Sequence, residues 1–201
     1  LYFLADSDDE ETVRLAEEHA FHLVDVRVTF ERSLDRRVED SEERGGSIRL
    51  CRPEDVEALA RIAKASHHDT RYYHDPRFPQ ERCDALYETW IRKSCQGWAE
   101  AVLVVEMKGR AEGYLTCHLD PEACGRIGLV GLGAAAQGQG LGRAMLAESL
   151  RWFAARGCRL VTVATQARNV KAQRLYQRAG FLTRSVHLYY HRWFTGAEAG
   201  R

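Results

Sequence analysis

The chain carries no excess of either charge. Its 201 residues hold 29 Lys and Arg against 29 Asp and Glu, a formal net charge of zero. Nucleic-acid binding rests on a basic excess, so this balance argues against that class of partner and leaves room only for a local basic pocket. Long apolar runs are also missing. None approaches the roughly 18–20 residues that a membrane-crossing helix needs. There is no Cys-x-x-Cys either. Six cysteines (Cys51, Cys83, Cys95, Cys117, Cys124 and Cys158) are scattered through the chain. That pattern suits reduced thiols in a cytoplasmic protein better than a disulfide framework. Internal repeats and low-complexity tracts are absent. The opening Leu1-Tyr2-Phe3-Leu4-Ala5-Asp6 has no initiator Met and no basic signal-peptide region. We therefore expect the first segment to be the truncated end of something longer.

What is present is an ordinary globular composition, 45% hydrophobic and 29% charged. A chain of this size buries roughly 70% of its unfolded surface and needs no disulfide or structural metal to be stable. Residues 1–38 read as strand, helix, strand, a small β-α-β extension too short for its own core. A charged run closing on Gly45-Gly46-Ser47 makes 39–47 the expected linker. Residues 48–194 form the main domain, and 195–201 are a polar tail. Within the main domain we expect helices from Pro53, over 81–93, over 141–155 and over 172–178. Strands are expected at 48–51, 101–106, 113–120, 126–132 and 159–165, with one or two more over 181–194. Residues 66–78 read as irregular. The order implies an α+β, mixed α/β fold: a twisted mixed sheet flanked by helices.

Two motifs carry chemistry. Gln137-Gly138-Gln139-Gly140-Leu141-Gly142 lies between a strand and a helix. Glycines there let the backbone approach a ligand, and the helix start adds partial positive charge, together a cradle for a pyrophosphate. A tight strand-to-helix turn is the plain alternative. No Gly-Lys-Ser/Thr follows, which excludes a Walker loop, and the glycine spacing fits a dinucleotide fingerprint poorly. The second motif is Asn169-Val170-Lys171-Ala172-Gln173-Arg174-Leu175-Tyr176, ending at Gly180-Phe181. Asn169 can cap the helix or hold a ligand amide. Tyr176 is either a packed core aromatic or a proton donor.

In this order, Gln137-x-x-Gly140-x-Gly142 and Asn169-x-x-Ala172-x-x-Leu175-Tyr176-x-x-x-Gly180-Phe181 resemble the GCN5-related N-acetyltransferase (GNAT) superfamily. The resemblance implies acetyl-CoA as donor, an amine as acceptor and no metal. It implies that Ala136, Gln137, Gly138, Gln139, Gly140, Leu141 and Gly142 hold the pyrophosphate, and that Asn169 and Leu175 line the pantetheine arm. Leu132 would offer its backbone N–H to the thioester carbonyl, and Tyr176 would protonate the leaving thiolate as general acid.

A narrower resemblance is carried by Tyr72-Tyr73-His74-Asp75-Pro76-Arg77-Phe78-Pro79, the helix after it, and Gln173–Ser185. It points to members that N-acetylate dTDP-4-amino-4,6-dideoxygalactose for surface polysaccharide. A nucleotide-sugar amine is thus the expected small-molecule partner, with Arg71 and Arg77 on its phosphates and Tyr72 or Tyr73 on its base. A surface loop packed by its own aromatics is the alternative reading of that segment. A zinc site there is disfavoured, because adjacent His67 and His68 do not readily converge. Glu106, Asp120, His118 and a water chain are the candidate bases, and none follows from spacing. Arg174, Arg178 and Arg184 meet the CoA phosphate or form a solvated face. A different amine (a protein N-terminus, a polyamine or an aminoglycoside) and a catalytically silent acyl-CoA-binding module are the competing functions. Exposed C-terminal strands suggest a homodimer.

Overall fold

Short-range chemistry sets the element boundaries. Asp9 accepts the Thr12 N–H at 3.0 Å and starts one helix; Asn169 accepts the Ala172 N–H at 3.0 Å and starts another. Lys108 and Gly109 both have positive φ, which closes a two-residue hairpin between two strands. The computed structural model describes residues 1–35, 46–121 and 124–194. Residues 39–45 of the expected linker and the expected tail 195–201 lie outside the described residues.

The elements run β1 (Tyr2–Asp6), α1 (Glu10–Glu18), β2 (His22–Ser33), β3 (Ser47–Leu50), α2 (Val56–Ser66), α3 (Arg71–His74) and α4 (Gln80–Lys93). They continue through β4 (Ala101–Met107), β5 (Arg110–Asp120), β6 (Cys124–Leu132), α5 (Leu141–Ala154), β7 (Leu160–Gln166), α6 (Val170–Arg178) and β8 (Leu182–His191). The strands form one eight-stranded mixed sheet in the order β1-β8-β2-β7-β6-β5-β4-β3. Among the described residues its one parallel pair is β6–β7. The mixed sheet flanked by helices is the architecture that the element order implied. No helix among the described residues is long and apolar enough to cross a membrane.

Both sheet faces are covered. On one, Leu103, Val105, Leu115, Val161 and Val163 pack against α5 (Met145, Leu146, Leu150, Phe153) and against Tyr176 of α6. On the other, Val102, Val104 and Tyr114 pack against α2 (Leu59, Ala63) and α4 (Tyr87, Ile91). The unbroken apolar run Ala101–Val105 follows directly from a strand buried on both sides.

Three expectations change. Residues 66–78 include the short helix α3. Residues 181–194 hold a single strand, within the expected one or two, but β8 lies between β1 and β2 instead of exposed at an edge. The strand-edge reason for a homodimer is therefore removed. The N-terminal segment is woven into the sheet: β2 separates β7 from β8 and pairs antiparallel with both. Its Val28 and Phe30 enter the core on the α5/α6 side.

The parallel pair is short. Cys124–Ile127 pair with Leu160–Val163, and there the pairing ends, although β6 runs on to Leu132 and β7 to Gln166. Between Leu115↔Val130 and Cys117↔Ile127, two residues of β6 oppose one of β5, a β-bulge at Gly128-Leu129 opposite Thr116. The bulge turns β6 away from β7, and the two strands splay.

Candidate active site

The splay opens into a cavity of about 400 Å³ that passes through the sheet. Gly128, Leu129 and Val130 form one wall; Thr165 and Gln166 of β7 form the other. On the α6 side it is lined by Asn169, Ala172, Leu175 and Tyr176. On the α2/α4 side it is lined by His67, Arg71, Tyr72, Tyr87 and Trp90. Two compartments thus meet at one gap in the strands.

Tyr176 sits at the meeting point. Its ring packs 5.9 Å from Phe30 and 6.0 Å from Phe181, centroid to centroid. Burial pushes its phenol well above the usual value, so it keeps its proton at neutral pH. Tyr176 is a core aromatic, as one reading had it, and it also lines the cavity. Asn169 likewise does two things. Its Oδ1 caps α6 through Ala172, and the residue lines the cavity.

The glycine loop lies beyond the cavity. Gly138 and Gly140 have φ of 76° and 78°, and a Cβ on either would meet nothing within 4 Å. Gly140 is the N-cap of α5 and provides no side chain to its first turn. With no side-chain cap, the first N–H groups of α5 have no partner from Gly140, the feature of a helix start that can receive an anion. Gly142 is closed in by the side chains of Leu132 and Leu175, which would lie 3.3 and 3.6 Å from a Cβ at that position, an apolar sleeve beside the loop.

Leu132 is the last residue of β6. It pairs with Gly113, borders a second cavity beside Gly133 and Gln137, and its carbonyl accepts from the Gln137 side chain at 3.1 Å. The Gly133 N–H points to β5, donating to Glu112 O at 2.8 Å. Strand alternation then turns the N–H groups of both Leu132 and Val130 toward the gap. Of the two, Val130 lines the cavity. Nothing in the sequence distinguished them, because the bulge that fixes the register is not a motif.

Arg71 and Tyr72 line the cavity; Tyr73 and Arg77 do not. The Tyr73 hydroxyl donates to Asp84 at 2.8 Å and its ring stacks on Tyr87. The Arg77 guanidinium lies 5.8 Å from the Trp193 ring centroid. The acid–base candidates are elsewhere too. Glu106 is held by Arg49 at 2.6 Å and Asp120 by Arg126 at 2.9 Å. His118 lies 3.2 Å from Thr116 behind the bulge, and burial lowers its pKa. The imidazole that does line the cavity is His67, stacked on Tyr87 with Nε2 2.8 Å from the Tyr114 hydroxyl. Burial pushes its pKa down to about 4, so it is neutral at physiological pH. Arg184 of the expected phosphate-binding run pairs with Glu31 at 3.3 Å. Among the described residues no group of three or more His, Cys, Asp or Glu is placed to hold a metal.

Residues 59–181 match the family model described as "Acetyltransferase (GNAT) family". The chain belongs to that family. It is 31% identical over 147 residues to the spore coat polysaccharide biosynthesis protein SpsD of Bacillus subtilis, covering 73% of this chain and 50% of that protein. It is 40% identical over 91 residues to the mycothiol acetyltransferase of Mycobacterium avium, covering 41% of this chain and 29% of that one. It is 27% identical over 128 residues to the dTDP-fucosamine acetyltransferase of Escherichia coli O6:H1, covering 63% and 54%. The chain thus spans about half the length of these relatives or less. Its fold matches the crystal structure of a GCN5-related N-acetyltransferase from Sphaerobacter thermophilus, with a TM-score of 0.70 at 21% identity, over 94% of this chain and 58% of that one.

Proposed function

We propose that the chain transfers an acetyl group from acetyl-CoA to the 4-amine of a dTDP-4-amino-4,6-dideoxyhexose. The observation that carries this reading is the cavity through the splayed strands, with Tyr176 on one side and Arg71 on the other. Acetyl-CoA enters from the α5/α6 side. Its pyrophosphate lies on the amides of Gln137–Gly142, and its pantetheine runs past Leu132 and Leu175 toward Asn169. The acceptor enters from the α2/α4 side and meets the thioester in the gap.

The chemistry is direct attack. The neutral amine adds to the thioester carbon, the oxygen takes the negative charge, and the outward N–H of Val130 is placed to stabilise it. Collapse expels the CoA thiolate, which takes the Tyr176 proton, while the nitrogen of the new amide gives up its extra proton to solvent and Tyr176 is reprotonated from solvent. The acceptor first gives up its ammonium proton to solvent, and the neutral His67 imidazole lines the cavity as a group able to hydrogen-bond the amine.

Relatives named for polysaccharide biosynthesis and for a dTDP-amino sugar support the acceptor class, and those named mycothiol acetyltransferases support acetyl transfer without that acceptor. A different amine remains the second reading. The test is incubation with acetyl-CoA and dTDP-4-amino-4,6-dideoxygalactose, with mass analysis of the sugar nucleotide. One added acetyl group on the amine is the expected result. An unchanged sugar nucleotide beside an acetylated peptide or polyamine overturns it.

A further inference from the structure

The N-terminal segment does more than complete the sheet. Val28 and Phe30 of β2 point into the α5/α6 core, so the pleat turns Arg27 and Thr29 to the opposite face. There both line the cavity, beside Tyr189 of β8. Arg71 reaches the same cavity from α3. Its guanidinium lies 4.1 Å from the Tyr189 ring centroid, 4.3 Å from Tyr72 and 5.2 Å from Tyr2. It donates one bond, to the Tyr72 hydroxyl at 2.6 Å, and its buried Nε has no hydrogen-bond partner. Neither Arg27 nor Arg71 forms an ion pair among the described residues.

Aromatic rings hold a guanidinium by its faces and leave its in-plane donors unspent. A half-buried cation whose Nε is sealed from solvent without a partner, with Arg27 on the same cavity, fits an anion that is supplied by a ligand. The donor's pyrophosphate has a different place, since no residue of Gln137–Gly142 lines this cavity. We propose that Arg27 and Arg71 form a second anion site, in the acceptor half, for a diphosphate carried by the amine substrate. β2 then contributes to acceptor class: Asp69 and the Asp120-paired Arg126 also line the cavity, and Arg27 and Arg71 tip its charge toward an anionic amine over a polycation. The identification of the ligand as the acceptor rests on the acetyl-transfer reading above; the anion site itself does not.

The test is calorimetric titration of the full chain with dTDP, which has no amine and undergoes no transfer. Arg27→Gln and Arg71→Gln are each expected to weaken dTDP binding about tenfold or more, the scale of a lost charged hydrogen bond. Arg14→Gln, an exposed change in the same segment, is expected to leave it unchanged. Acetyl-CoA affinity serves as the check of folding and is expected to hold in every variant. Arg27→Lys, which keeps the charge, is expected to recover most of the binding even if Arg27→Gln folds poorly. Inorganic pyrophosphate is expected to compete with dTDP. No binding of dTDP by the unaltered chain, equal binding by Arg27→Gln, or failure of pyrophosphate to compete overturns the site.

The two readings separate cleanly. A chain that acetylates no amine yet binds dTDP through Arg27 sinks the proposed function and keeps the anion site. A chain that acetylates the sugar nucleotide with KM unmoved by Arg27→Gln keeps the function and sinks the site.

Discussion

The Leu129 backbone N–H donates to the Thr116 side-chain hydroxyl at 2.8 Å, where a regular ladder would offer it a β5 carbonyl. This bond holds the bulge that ends the β6–β7 pairing after Ile127 and Val163. Thr116→Val keeps the shape and leaves a buried N–H unmade. The expected loss is about 1–3 kcal/mol in a denaturant titration. A variant as stable as the parent would mean that Gly128 alone sets the bulge.

Gly128 gives a second handle on the same geometry. A Cβ there would lie 2.6 Å from Thr116 Oγ1 and 2.7 Å from His118 Nε2. Both neighbours belong to a buried hydrogen-bonded pair with little room to move. Gly128→Ala is expected to destabilise the chain by about 1–3 kcal/mol through overpacking. Thermal unfolding against the parent protein measures it.

Tyr176→Phe removes one oxygen from a buried ring and leaves its packing against Phe30 and Phe181 intact. Loss of a general acid is expected to lower kcat by roughly 10²–10⁴. Acetyl-CoA affinity, measured by titration, is expected to stay the same. A phenylalanine variant of normal kcat would remove Tyr176 from the reaction.

Gly140→Ala tests the anion cradle. With φ at 78° and open space around the added methyl, the cost is backbone strain without a clash. Left-handed backbone costs a non-glycine residue about 1–2 kcal/mol; a turn that relaxes to escape this strain must recover it on binding, so acetyl-CoA affinity is expected to fall roughly tenfold. Binding at parental strength would show that this turn does not hold the pyrophosphate.

His67 makes stability depend on pH. In the folded chain its pKa is about 4, against an ordinary value of 6.5. Between those values the unfolded chain binds the extra proton. Stability is therefore full above pH 6.5 and falls as pH is lowered toward 4, by about 3 kcal/mol in all. His67→Gln is expected to flatten that part of the profile in urea titrations run at a series of pH values. Equal slopes for the two proteins would contradict the burial of a neutral imidazole.

Motifs and periodicity made most of the fold legible. The capping asparagine, the Lys108-Gly109 turn and the alternating strands are local signals, and the structure places elements where they stood. Strand order is not local. That β2 lies between β7 and β8 rests on pairings with strands more than a hundred residues away, so its Arg27 and Thr29 looked like ordinary strand residues. In the site, the glycine loop and Asn169-to-Tyr176 were readable because each is one continuous segment. Val130 and His67 were not, because a bulge and a fold-distant Tyr114 give them their positions. Tyr73 and Arg77 were named from an aromatic, basic run whose inward and outward sides only α3 and α4 determine.

The most direct measurement is the initial rate of thiol release from acetyl-CoA with dTDP-4-amino-4,6-dideoxygalactose, a peptide, spermidine and an aminoglycoside as acceptors. Release with the sugar nucleotide alone, lost in Tyr176→Phe, is the expected result. Release with none of these amines, by a chain that binds acetyl-CoA, would contradict acetyl transfer through the splayed strands to a nucleotide sugar.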